Sequence, residues 1–264
     1  MKLSISNIAW GEEDDSKVYD LMKKYKFEGI EIAPTRVIPN NPYEQIKKAI
    51  EWKKALKEQY GFEVSSMQSI WYGRQENLFG STEERNELLS YTKKAIEFAS
   101  SIECKNIVFG CPRNRNKPQE ADEMTAISFF RELGECAIKK GIVIGMEANP
   151  PIYNTNYIND TISAVELIKK VNSKGFRLNF DIGTMIINNE SIEMLEEALP
   201  YINHVHISEP LLKMIENRIL HKQIFEVLKK EKYSGYVSIE MGKADNTDII
   251  EERLNYVNRI FRRE

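Results

Sequence analysis

Apolar and polar residues alternate along this chain with two distinct periods. Eight short apolar runs recur, at residues 3–10 (LSISNIAW), 29–34 (GIEIAP), 63–70 (EVSSMQSI), 106–111 (NIVFGC), 142–149 (IVIGMEAN), 176–183 (FRLNFDIG), 203–208 (NHVHIS) and 236–242 (YVSIEMG). Short runs of β-branched and other apolar residues mark strands of a parallel sheet covered on both faces. Longer amphipathic stretches lie between them. In 84–101, Leu88, Tyr91, Ala95, Phe98 and Ala99 recur at helical spacing and share one face. Similar faces predict helices over 42–60, 119–140, 160–171, 190–199, 216–231 and 246–262. Thr82 is the expected N-cap of the 84–101 helix. Arg85 stands where a capping box would place Glu, so half of that box is expected. Gly141 and Gly175 sit where helices should end before a strand, and Gly235 closes the turn before the last run.

Eight strand-then-helix units in 264 residues, without a Pro/Gly/Ser-rich linker or a shift in composition, predict an α/β fold. The expected architecture is a (β/α)8 TIM barrel, a single domain over residues 1–264. A doubly wound open sheet would favour a glycine-rich turn after the first strand, and residues 7–14 (NIAWGEED) offer none.

Composition narrows the function classes. Thirty-seven basic against 40 acidic residues give a net charge of −3, without the basic footprint that nucleic acid or an anionic membrane attracts. Cys104, Cys111 and Cys136 are odd in number and lack metal-site spacing, which argues against a disulfide framework. The N-terminal residues lack a long apolar segment, so a cytoplasmic soluble protein is expected.

In such a barrel the chemistry sits at the C-terminal ends of the strands. Those positions, each inside its apolar run, hold Glu147 at the end of the fifth strand, Asp181 at the end of the sixth, His206 in the seventh and Glu240 at the end of the eighth. Three carboxylates and one imidazole suit one divalent cation: Mn²⁺, Mg²⁺ or Co²⁺, with Zn²⁺ a further fit. A lone carboxylate reads as a solvated loop charge. Four such side chains at equivalent places in consecutive units read as a metal site.

With those residues in place, the chain resembles the xylose-isomerase-like barrel superfamily, in its sugar phosphate isomerase/epimerase branch. The resemblance runs through GIEIAP, IGMEANP, NFDIGT, HVHISEP and YVSIEM, and covers the whole chain. It implies that Glu147, Asp181, His206 and Glu240 are metal ligands and that Glu147 and Glu240 form the acid/base pair. It also implies that Glu209, after Ser208, approaches the sugar hydroxyls. Two positions depart from the pattern. Thr184 stands where many members carry a substrate-contacting histidine, and Tyr153 stands where ketose epimerases carry a further Glu. Thr184 and Asn149 are taken as candidate substrate contacts in the same mouth.

The expected chemistry is removal of a proton beside a carbonyl by one glutamate, the cation stabilising the enediolate that forms. Return of the proton by the other glutamate gives an epimer or an aldose–ketose isomer. The rivals are an inosose-dehydratase-like lyase on the same metal, an abasic-site endonuclease, and a non-catalytic binding module. The endonuclease is disfavoured by a total of three histidines and an acidic net charge. Expected partners are a small carbohydrate, neither nucleic acid nor membrane, with a homo-oligomer compatible. Across the mouth, Arg36, Arg74, Arg113 and Arg115 follow the second, third and fourth strands. Arginine's planar fork suits phosphate or carboxylate, so the substrate is expected to be anionic, unless these side chains pair with loop acids such as Glu76 or Glu120. His204 is read as a core histidine, with support of the metal site as the alternative, and His221 as a surface residue. Trp10, Trp71 and Tyr72 are candidate pocket walls, and Cys111 a small apolar filler.

Overall fold

The structure is a computed structural model that describes residues 1–262. Eight parallel strands close into a barrel in chain order: β1 (Lys2–Ser6), β2 (Gly29–Ile32), β3 (Glu63–Met67), β4 (Asn106–Phe109), β5 (Val143–Glu147), β6 (Phe176–Asp181), β7 (Ile202–Ser208) and β8 (Tyr236–Glu240). β8 pairs back onto β1, Ser238 opposite Ser4. One main helix follows each strand: α1 (Asp15–Lys24), α2 (Ile46–Tyr60), α3 (Thr82–Ser101), α4 (Glu123–Lys139), α5 (Thr161–Val171), α6 (Ile192–Ala198), α7 (Ile219–Lys230) and α8 (Thr247–Phe261). Pro34–Val37 and Ile182–Asn188 form short extra helices after β2 and β6. Among the described residues no helix is long and apolar enough to cross a membrane.

The expected barrel is present, with three local corrections. α3 is capped by Ser81 rather than Thr82. Ser81 Oγ accepts from Glu84 N (3.3 Å) and Glu84 Oε2 accepts from Ser81 N (2.8 Å), a complete box. α5 ends through Asn172, left-handed at φ 50°, and Gly175 serves another purpose. A Cβ at Gly175 would overlap the Gly134 carbonyl oxygen, so the glycine lets the β6 approach pass against α4. α1, absent from the expected helices, buries Val18, Tyr19 and Met22, too short an apolar stripe to stand out in sequence.

Successive strand residues point to opposite faces. The outward set, including Ile5, Ile30, Ile144, Phe176, Phe180, Val205, Ile207 and Ile239, packs beneath the helices and forms the core. The inward set is polar: Ser4, Ser6, Glu31, Asn106, Asn179, His204, His206 and Ser238 are all buried. Bonds across the barrel identify that face: Glu31 Oε2 of β2 lies 2.9 Å from His206 Nε2 of β7. Asn203, at a break in the β6–β7 register, also turns inward, its Nδ2 donating to Asn106 Oδ1 of β4 (2.7 Å).

Candidate functional site

Strand register places the candidate ligands together. Glu147 lies opposite Asn179, Asp181 opposite His206, and Ser208 opposite Glu240. Asn179 to Asp181 and His206 to Ser208 are steps of two residues, so every member stays on the inward face. Ligand atoms of Glu147, Asp181, His206 and Glu240 all lie within 4.8 Å of one another. His206 Nδ1 is 2.9 Å from Glu147 Oε1 and 3.3 Å from Glu240 Oε2. Asp181 is held by Thr184 N, which donates to Oδ1 (2.6 Å), and by Ser208 Oγ, which donates to Oδ2. Asn179 Nδ2 donates to Glu147 Oε1 (2.8 Å) and Asn149 Nδ2 to Glu147 Oε2 (3.1 Å).

The electrostatics are those of crowded acids. Burial pushes the Glu240 carboxyl up to about 7 and that of Asp181 up to about 6, and neighbouring Glu147 adds to both rises. Burial opposes charge on His206, yet Glu31, Glu240 and Glu147 raise its pKa well above the ordinary value. One divalent cation fits this set. The donors are hard oxygens plus an imidazole, and their spread is close to the roughly 4 Å across an ion bound at about 2.1 Å.

Beneath them lies Glu31 of β2, fully buried, which the sequence pattern does not single out. Its Oε2 is 2.9 Å from His206 Nε2 and 3.2 Å from His204 Nε2. The histidine thus turns Nδ1 to the mouth and Nε2 to a carboxylate, an arrangement that fixes a ligating ring. The available signal is a charge at an inward position of an otherwise apolar strand. His204 is buried in the interior beside Glu31, as expected of a core histidine.

The substrate-facing expectations fare differently. Asn149 lines the mouth, along with Tyr153, Ser208 and Leu212, in a cavity of about 200 Å³ that contains Glu147, Asp181 and Glu240. Thr184 is turned away from it, its Oγ1 donating to Ala148 O (2.9 Å). Glu209 is buried and held by Arg218, whose Nε and Nη2 donate to Oε1 and Oε2 at 2.7 and 2.6 Å. Arg36 pairs with Asp15 at 2.6 Å. Arg74 pairs with Glu76 and Glu87 and lies over the Tyr91 ring. Arg115 is fully buried beneath the loop, donating to Glu147 O (3.0 Å) and Asn149 Oδ1 (2.8 Å), and so is no rim residue. Arg113 alone of the four is exposed with no ion-pair partner among the described residues. It lines a second cavity of about 570 Å³ with Arg74, Trp71 and Tyr72, next to the first across Ser69, Cys111 and Pro112.

Trp71 is mostly core, donating to Thr92 Oγ1 at 2.8 Å, whereas Tyr72 is exposed. Trp10 is buried against Tyr19 and donates to Asp15, and it lines neither of these two cavities. Cys111 is half-buried and lines both cavities rather than filling the core; burial pushes its thiol up to about 12. His221 is buried beneath α7 rather than exposed, its Nδ1 2.9 Å from Tyr256 Oη.

Comparison with known proteins places the fold. Residues 19–260 match the family model described as xylose isomerase-like TIM barrel. An uncharacterised protein, MJ1311, of Methanocaldococcus jannaschii is 31% identical over 144 residues, which is 50% of this chain and 49% of that one. The match thus spans about half the length of that curated relative. Among solved structures, 3-keto-D-glucoside 4-epimerase YcjR from E. coli superposes with a TM-score of 0.78 at 20% identity, over 98% of this chain and 99% of that one. D-psicose 3-epimerase from Clostridium cellulolyticum H10 gives 0.76 at 19% identity, over 99% of both chains.

Proposed function

Because the chain belongs to the xylose isomerase-like TIM barrel family, we propose that it is a divalent-metal-dependent isomerase or epimerase of carbohydrates. The observation that carries this reading is the convergence of Glu147, Asp181, His206 and Glu240 in one small cavity. The E. coli and Clostridium barrels that share the fold are sugar epimerases by name, which supports the carbohydrate class.

A divalent cation held by the four would stabilise negative charge developing on adjacent substrate oxygens. The two glutamates divide the proton work. Glu240 receives no amide hydrogen bond among the described residues and faces His206, which leaves it free to take the proton from carbon. Glu147, entering as the carboxylic acid, gives a proton of its own and leaves as the carboxylate while Glu240 keeps the one it took; its orientation is fixed by the amides of Asn149 and Asn179. Return to the opposite face inverts the centre, and return to the neighbouring carbon gives the isomer. Arg113, the unpaired guanidinium of the adjoining cavity, supports an anionic substrate: a sugar phosphate, a sugar acid or a nucleotide-linked sugar.

Exchange of a substrate α-proton with D₂O tests the reading. Removal of metal, or Glu240→Gln, abolishes exchange; undiminished exchange in either case overturns the proposal. In the same assay Arg113→Ala raises KM for charged sugars about 10- to 100-fold, the worth of one charge-assisted hydrogen bond, and spares neutral ones. Equal effects on both return Arg113 to the surface.

A further inference from the structure

Arg115 is the most unusual buried group outside the ligand set. It is fully buried, yet no carboxylate lies within ion-pair distance of it among the described residues. A buried guanidinium without a counter-ion is costly. Here Nε has no partner among the described residues, and Nη1 also contacts Met146 Sδ (3.7 Å). The oxygens that the guanidinium reaches belong to the end of β5 and the loop after it. Nη1 donates to Glu147 O (3.0 Å), and Nη2 to Asn149 Oδ1 (2.8 Å) and, less directly, to Ile158 O (3.4 Å). Asn149 is also pinned through its main chain. Its N–H donates to Ile158 O (3.0 Å) and its carbonyl accepts from Asn159 Nδ2 (2.8 Å).

The chemistry of the two side chains dictates which way the amide faces. A guanidinium only donates and does not give up its proton, whereas an amide side chain has one accepting and one donating end. Arg115 therefore obliges Asn149 to present Oδ1 to it, and the amide nitrogen must turn the other way. That nitrogen is the one that donates to Glu147 Oε2 at 3.1 Å. We propose that Arg115 is a positioning residue which, by fixing the Asn149 amide, sets the orientation in which Glu147 receives the metal. This rests on the metal reading of the site above. Asn149 and Asn179 each hold one oxygen of Glu147, leaving the remaining lone pairs aimed into the mouth.

A double-mutant cycle on Mn²⁺ affinity, measured by calorimetry without substrate, tests the link. Arg115→Lys keeps the charge but cannot fork between Glu147 O and Asn149 Oδ1. Asn149→Leu keeps the size and removes the amide. Each weakens Mn²⁺ about 10- to 100-fold, the range for partners that orient a ligating group. If Arg115 works through Asn149, the double variant is no weaker than the worse single variant. Losses that multiply, or Arg115→Lys binding as wild type does, overturn the proposal. A second readout needs no metal: the Asn149 side-chain amide resonances in apo protein. They should lie downfield in the wild type and move in Arg115→Lys, and an unmoved pair would also overturn it. Wild-type protein that fails to bind Mn²⁺ removes the metal reading, while these resonances still decide whether Arg115 sets the amide.

Discussion

At the scale of single residues, burial turns His221 into an acid-sensitive strut. Burial lowers its pKa to about 4, from 6.5, so as pH falls the unfolded chain takes up this proton before the folded one does. The stability linked to it is complete above about pH 6.5 and drains as pH falls towards 4, by at most on the order of 3 kcal/mol. Urea unfolding at pH 7 and pH 5 should show a smaller loss in His221→Asn than in wild type, and parallel losses would exclude the linkage. His221 also shows what a sequence hides. It lies on the apolar face of α7 beside Ile224, Phe225 and Leu228, but a titratable residue in such a stripe reads equally well as its edge. Arg115 is harder still. Position alone puts it on a loop at the mouth, and only the turn Pro112–Asn114, entered through Cys111 at φ 46°, swings its side chain inward. Arg36 and Arg74 turn instead to Asp15, Glu76 and Glu87, acids close enough to pair with them in the folded chain itself.

At the scale of elements, the start of α3 carries a clean contrast. Ser81 closes the box with Glu84, while Thr82 merely accepts from Arg85 at the exposed end. Ser81→Ala should lower stability by about 1 kcal/mol and Thr82→Ala by no more than about 0.5 kcal/mol, read from thermal unfolding. The reverse order would restore Thr82 as the cap. Helix and strand periods are readable here because they are local. Cap identity is not, since one residue's shift in register moves it. Gly175 misleads for a related reason. Glycine after a helix usually means a left-handed turn, and here it answers instead to the backbone of α4 arriving from another unit.

At the scale of the whole molecule, the order and closure of the barrel are legible. Eight apolar runs separated by helical faces leave few other ways to bury both sides of each strand. The four ligands come with that order, because strand ends share one mouth. The polar interior is less plain. Ser4, Glu31, Asn106 and Ser238 look like interruptions of apolar runs until the sheet curls and gives them a common inside.

The pairing of β1 with β8 sets terms for how the chain is made. β1 is synthesised long before β8, and until Tyr236–Glu240 arrives, an incomplete sheet exposes two rows of unpaired amide and carbonyl groups. Glu31 waits as well, for a histidine 175 residues further on. Contacts of such separation form late, and open edges are the sites at which growing chains stick to one another. Translation of this chain should therefore lean on chaperones. A version stopped at Gly235 should be recovered bound to them or aggregated, without a cooperative melting transition. A soluble fragment that melts sharply would mean that seven strands already know how to close.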